Sequence, residues 1–130
     1  MVKQPRVIRV IIDHLPYSEL MPNALRRTFW TVRSEMTKVA RQEAYLLGLE
    51  QTPESPFKYC AIEGIFTVPD KRRRDLESLL AASKAFIDGL VDAGIIEDDN
   101  WQHVLRLSGS VVYQKGVAQT EIIITEVKND

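Results

Sequence analysis

Residues 69–100 read PDKRRRDLESLLAASKAFIDGLVDAGIIEDDN. A basic run of Lys71, Arg72, Arg73 and Arg74 leads into two carboxylates two positions apart, Asp75 and Glu77. A second acidic cluster, Glu97, Asp98 and Asp99, closes the stretch. Side chains two apart in an extended segment point the same way, so Asp75 and Glu77 can converge on one cation. Magnesium takes carboxylate oxygens while keeping several waters. Held there, it would activate a water and stabilise a departing phosphate oxygen, and the N-terminus of a following helix would add a field that favours anions. Lys84 lies two helical turns beyond Glu77 on the same face, about 10 Å along the axis, of which its side chain covers roughly half. It could reach toward a phosphate held near the acids. Lys71 to Arg74 adjoin the proposed metal site and are the natural phosphate contacts, which predicts steeply salt-dependent binding.

The same residues suit plainer roles. Asp75 can cap a helix, with Glu77 as an acid of its first turn. Lys84 can pair with Asp88 four residues on, worth a few tenths of a kcal/mol. Asp98, Asp99 and Asn100 can form a polar turn.

The elements that must position these groups are readable from periodicity. Residues 7–13 are rich in Val and Ile and predict a first strand. Pro16 and Pro22 make residues 14–23 a loop. From about 28 to 49, Phe29, Val32, Met36, Val39, Ala40, Leu46 and Leu47 recur at helical spacing. Gly48, Pro53 and Pro56 end that helix. Residues 57–68 read as a strand and 69–74 as a charged connector. A second helix is expected over 76–93, with Leu76, Leu79, Leu80, Ile87, Leu90 and Val91 as its apolar stripe and Gly94 just past its end. Residues 104–114 and 120–127 read as strands, and Lys115-Gly116 between them suggests a hairpin. The order strand, helix, strand, helix, strand, strand predicts one α/β domain of the α+β type over residues 1–130, a mixed four-stranded sheet with two main helices.

Size and composition agree. A chain of 130 residues, 45% hydrophobic and 27% charged, is an ordinary single globular domain. No apolar run is long enough to span a membrane, and residues 1–13 read as a strand and not as a signal peptide. Cys60 is the only cysteine, which excludes an intrachain disulfide and a zinc cluster. The expected location is a reducing cytoplasm. The net charge of −1 hides an asymmetry: residues 1–74 hold 13 Lys and Arg against 8 Asp and Glu, and residues 75–130 hold 4 against 10. That split fits a protein that grips phosphate with one part and gathers cations with the other, and equally fits solvated helix faces of different sign. Arg26, Arg27, Arg33, Lys38 and Arg41 could form a second basic surface. Tyr17, Phe29 and Trp30 lie near it, where they could stack on unpaired bases. Phe29 and Trp30 read better as core or dimer-interface residues, and Trp101 as packing beneath the acidic cluster. His14 and His103 read as structural or exposed.

The order of basic run, acids, helix lysine, Ala-Gly and acid pair resembles the core motif of the RusA-type Holliday junction resolvases, the crossover junction endodeoxyribonucleases. The matching residues are Arg72-Arg73-Arg74, Asp75-Leu76-Glu77-Ser78, Lys84, Ala93-Gly94 and Asp98-Asp99. The longer phage-type members are similar also around Asn23, Arg26 and Trp30. The resemblance implies a homodimeric α/β nuclease of bacterial or phage origin. It would bind branched DNA and nick a four-way junction symmetrically by magnesium-dependent hydrolysis, with manganese as a possible substitute. Asp75 matches the first metal-binding aspartate, Glu77 stands where the second is expected, and Asp99, with Asp98 beside it, matches the third. Lys84 matches the catalytic lysine. Arg26, Arg27 and Lys71 to Arg74 would contact DNA. Two positions depart from the motif. Glu77 adds a methylene that displaces the carboxylate, and catalytic groups tolerate little misplacement. Ser78 replaces an asparagine and loses its orienting amide. The alternatives are therefore a diverged, noncatalytic branched-DNA binder and a plain interaction module.

A second helix of about 17 residues would be about 25 Å long, with Asp75 and Asp98 near opposite ends. The two can share a site only if the chain after Gly94 folds back, or if a second subunit supplies one end, as a two-fold dimer would.

Overall fold

The computed structural model describes residues 4–26 and 29–128, without the side chains of Leu25 and Arg26. Strand β1 spans Val7–Ile12, and two 3-10 turns, Ser18–Leu20 and Pro22–Arg26, occupy the predicted loop. Helix α1 spans Trp30–Leu49 and strand β2 Cys60–Val68. Helices α2 and α3 span Leu76–Ala82 and Lys84–Asp92, and strands β3 and β4 span Val104–Tyr113 and Gln119–Glu126. They form a single small α+β domain around one mixed four-stranded sheet in the order β1-β4-β2-β3. Among the described residues, no helix is long and apolar enough to cross a membrane.

Two expectations are corrected. Lys115 and Gly116 do not close a hairpin, because β4 pairs antiparallel with β1 and β2 while β3 runs parallel to β2 at the sheet edge. The reason lies in β4 itself. Its consecutive buried Ile122, Ile123 and Ile124 need cover on both faces, which a central strand supplies. The turn instead carries the chain past the end of β2, where the Gly116 amide donates to the Pro69 carbonyl at 3.0 Å. Gly116 adopts a φ of +76°, a left-handed conformation that favours glycine.

The second correction is that the predicted helix over 76–93 is broken at Ser83. The buried Ser83 hydroxyl donates to the Leu79 carbonyl at 2.8 Å, and its amide reaches Leu80 instead of Leu79. Serine bonding back into its own helix in this way bends it. Lys84 therefore opens a second helix. Gly94 (φ +79°) ends α3 as expected, with the Ile95 amide returning to the Leu90 carbonyl at 3.1 Å.

The core lies between the sheet and the helices. Ile8, Val10 and Ile12 alternate inward from β1 and meet Ile62, Phe86, Leu90, Ile122 and Ile124. Helices α1 and α3 pack closely through Ala40, Ala44 and Gly48 against Ala85, Gly89 and Ala93. A Cβ on Gly89 would fall 2.2 Å from the Arg41 carbonyl oxygen, so only glycine fits there. The Arg41 guanidinium then clamps Asp92 at 2.5 and 2.8 Å across the same pair. Cys60 is buried, which pushes its thiol up to about 11 and leaves it unreactive.

Candidate functional site

The break at Ser83 and the stop at Gly94 decide what the acids can reach. After Gly94 the chain turns alongside the segment before β2: the Phe57 amide donates to Ile95 O at 2.8 Å, and the Glu97 amide to Phe57 O at 3.1 Å. This contact bends residues 97–100 back toward the start of α3. The Asp99 carboxylate there accepts from the Lys84 ammonium at 2.9 Å, and Asp88, one turn along α3, accepts from the same ammonium at 3.2 Å. Asp98 shapes the turn, accepting from the Asp99 amide at 2.7 Å and the Asn100 side-chain amide at 3.2 Å. Lys84 thus makes both the local pair and the long-range one.

Charge follows this geometry. Hydrogen bonding to Asp99 outweighs burial and holds the Lys84 ammonium above its ordinary pKa. The Lys84 contact, with a hydrogen bond from Asp88, holds Asp99 below the usual carboxylate range. Asp88 moves the other way. Burial, then its bond to Asp99, raises it despite Lys84. One lysine neutralises one of two facing carboxyls, and the second carries a proton or accepts a cation. The pair Asp88 and Asp99 is a two-carboxylate donor set of the kind magnesium uses with retained waters. Sequence reasoning assigned Asp88 only to an intrahelical pair. Its place four residues after Lys84 was the available signal.

Lys84 and Asp99 stand at the edge of an open, mostly apolar groove of about 420 Å³, whose other walls include Ile62, Leu80, Ile87, Val104 and Leu107. Trp101 does not pack beneath the acids. It is 81% exposed on the loop that enters β3.

Asp75 and Glu77 lie elsewhere. Asp75 occupies the N-cap position of α2, yet its side chain makes no capping bond. Glu77 is exposed on the first turn. Asp75 borders a second groove of about 330 Å³, between the 15–23 loop and Arg72, Arg73, Arg74 and Ser78. Among the described residues, no three His, Cys, Asp or Glu side chains gather around one point. Within one chain the structure therefore joins Lys84 with Asp99, and leaves Asp75 and Glu77 apart from them.

The basic residues also divide. Arg74 turns inward and donates to the Asp70 carboxylate at 2.9 Å and to its carbonyl at 3.1 Å, bracing the connector. That bond holds Asp70 below its ordinary pKa. Lys71 lies 5.1 Å over the Tyr113 ring, and Lys71, Arg72 and Arg73 face solvent. On α1, Arg41 is engaged by Asp92, and Lys38 lies 3.7 Å from Glu35. The Arg26 side chain and Arg27 lie outside the described residues. Phe29 and Trp30 are not core residues of this chain, since both project into solvent at the start of α1. Tyr17 is not free to stack on a base. It donates to Glu43, which also receives His14 Nε2 at 2.7 Å. His103 Nδ1 contacts the Lys58 carbonyl at 2.8 Å, a structural role as expected.

The chain matches no protein-family model and no curated protein.

Proposed function

We propose that this protein is a magnesium-dependent, structure-specific endonuclease that resolves four-way DNA junctions by phosphodiester hydrolysis. The observation that carries this reading is the contact of Lys84 with Asp99, fifteen residues away in sequence, at 2.9 Å. The motif orders a helix lysine ahead of an acid in the turn after Ala93-Gly94, and local helix geometry alone would not bring the two together. Asp88 and Asp99 would hold the cation from one side, with Asp98 ordering the turn. Asp75 and Glu77 are the remaining acids of the motif, and both are unencumbered by capping. When bound, magnesium would supply an activated water and charge neutralisation at the departing oxygen. Lys84, released from one carboxylate as the cation enters, would face the scissile phosphate. Lys71, Arg72 and Arg73 would hold flanking phosphates, and Arg74 would position that run.

The test is nicking of a synthetic four-way junction in magnesium, with linear duplex as control. Symmetric nicks in the junction and none in the duplex are expected. Cleavage that Asp99→Asn leaves unchanged would overturn the assignment.

A second reading, a branched-DNA binder that does not cut, is favoured by one observation. Both carboxyls already contact Lys84, and with a proton on Asp88 the network is neutral without a metal. Junction binding in magnesium without any nick would select it.

A further inference from the structure

The turn between the acids and β3 holds a large aromatic ring in solvent. Trp101 is 81% exposed, yet the turn that carries it is tied at both ends. The Asp98 carboxylate accepts from the Asp99 amide at 2.7 Å and from the Asn100 side-chain amide at 3.2 Å. The Asn100 side-chain oxygen accepts from the Gln102 amide at 2.9 Å, and the Asn100 carbonyl from the His103 and Val104 amides at 3.0 and 2.9 Å. His103 Nδ1 then meets the Lys58 carbonyl at 2.8 Å, and the Cys60 amide donates to the His103 carbonyl at 2.8 Å. The ring is therefore outside because a bonded turn holds it there, and not because the segment is loose. An aromatic on fixed backbone, with only two side-chain torsions left to order, is a contact surface of low entropic cost.

The surroundings suit one kind of occupant. The two ends of the turn, Asp99 and Val104, both line the open apolar groove, and Lys84 borders it. Lys58 is exposed at the foot of the turn, its ammonium 5.6 Å from the centre of the Tyr59 ring. Tyr59 in turn lies nearly parallel to the His103 ring, 6.5 Å away and at 22°. Aromatic faces interleaved with cations are the composition that binds unpaired nucleotides, the faces taking bases and the cations phosphates. An apolar protein surface seated here would leave both lysines unmatched.

We propose that Trp101 stacks on an unpaired base beside the phosphate met by Lys84 and Asp99, so that the protein selects DNA already unstacked at the point of attack. The inference rests on the proposed junction-cleaving reading, to which it adds how a branch is told from a duplex. Inside a paired duplex each base is covered on both faces by its neighbours, and an inserted ring has to pull a step apart at a cost. At a branch, bulge or gap one face is free, and the cost falls. Lys71, Arg72 and Arg73 would grip the phosphates of any DNA alike. Trp101 supplies the discrimination.

The test uses the whole protein with a four-way junction carrying 2-aminopurine at the branch point, and a linear duplex of equal length. Calcium replaces magnesium to slow cutting. The wild type should quench the 2-aminopurine on binding, Trp101→Phe should quench it in part, and Trp101→Ala should not. Trp101→Ala should also bind the junction about tenfold more weakly, as expected for loss of one base–aromatic stack, with duplex affinity unchanged. Trp101→Phe should recover most of that loss. A Trp101→Ala protein that keeps both junction affinity and quenching would overturn the stacking role. So would one that loses junction and duplex affinity alike, which is what a merely structural tryptophan would give. A wild type that binds the junction and quenches the base, but never nicks in magnesium, would refute the nuclease reading and leave the stacking role standing. A wild type that nicks, with Trp101→Ala equal to it in every readout, would do the reverse.

Discussion

At the head of α2, Asp75 and Glu77 stand in solvent beside a run of basic residues, and nothing in their own chain draws them inward. At the head of α3, about two turns of helix further on, Lys84 is clasped by Asp88 and Asp99, and the surrounding bonds fix all three. The first region is a charged surface open to solvent. The second is an ordered network whose groups hold each other's ionisation states. Ser83 makes this difference possible, since the break there lets α3 start afresh with Lys84 turned toward the returning loop. Acids close in sequence are thus not equivalent: those on the free head can move to meet phosphate or metal, and those on the clamped head define where it would be met.

The largest effect that would sharpen the contrast is expected from Asp99→Asn. It removes the carboxylate that fixes Lys84, and junction nicking should fall by about 10²–10³, comparable to deleting one preorganised electrostatic group from an active site. Single-turnover assays at saturating junction separate this from weakened binding. A loss confined to affinity would move Asp99 out of the reacting centre. Next comes the triple substitution of Lys71, Arg72 and Arg73 by Ala on the free head. If each contacts one phosphate, the slope of log affinity against log salt should flatten by about 3, with cleavage of bound junction little changed. An unchanged slope would show that this surface does not face DNA. Arg74→Ala should behave differently, loosening the connector through its lost bonds to Asp70 without flattening the slope by its own share. Asp88→Asn should be milder than Asp99→Asn, about tenfold, because Lys84 keeps its stronger partner. An effect equal to that of Asp99→Asn would mean that Asp88 contributes as much as Asp99 to the reacting centre.

The sequence made the order of elements readable because each has a clear period. The inward alternation of β1 and the glycine after α3 are local signals, and the structure keeps them. The apolar stripe expected on α1 is not the buried one: Phe29, Val32, Val39 and Leu46 are exposed, and the helix packs through the small residues Ala40, Ala44 and Gly48. What failed depends on long-range competition. Lys115-Gly116 has hairpin chemistry, but the demand of Ile122 to Ile124 for cover on both faces took β4 to the middle of the sheet. Trp101 was expected beneath the acids, yet the loop that carries it bends to satisfy Phe57 and Lys84 and leaves the indole outside. For the site, Lys84 and Asp99 could be paired from a motif order. Asp88 could not be promoted from a helix-surface partner, since only the fold-back of residues 97–100 places a second carboxylate against it. The separation of Asp75 from Asp99 does not follow from helix length alone, since the chain does fold back after Gly94 but returns Asp99 only to Lys84 at the head of α3.

The smallest effect concerns the wall that faces the free head. Residues 15–23 form the far side of the Asp75 groove, and their anchor is His14, whose Nδ1 meets the Leu15 carbonyl at 2.7 Å while Nε2 meets Glu43. Both neighbours are acceptors, so the ring is suited to carry two protons. Burial opposes that charge, but the bonds to Glu43 and Leu15 and the attraction of Glu43 and Asp13 prevail, and the pKa is raised above 6.5. Tyr17, bonded to the same Glu43, is raised as well, chiefly by burial, and stays protonated. A raised folded pKa means stabilisation that is complete below the unfolded value near 6.5 and is lost as pH rises through the folded value. Amide exchange should therefore quicken in residues 14–23 over that window, while residues 84–99, held by the Lys84–Asp99 contact and not by a histidine, keep their protection. His14→Gln should abolish the pH dependence and show fast exchange throughout. Equal quickening at both heads of the broken helix would mean that the two regions are one cooperative unit, and the contrast between a free head and a clamped one would not hold.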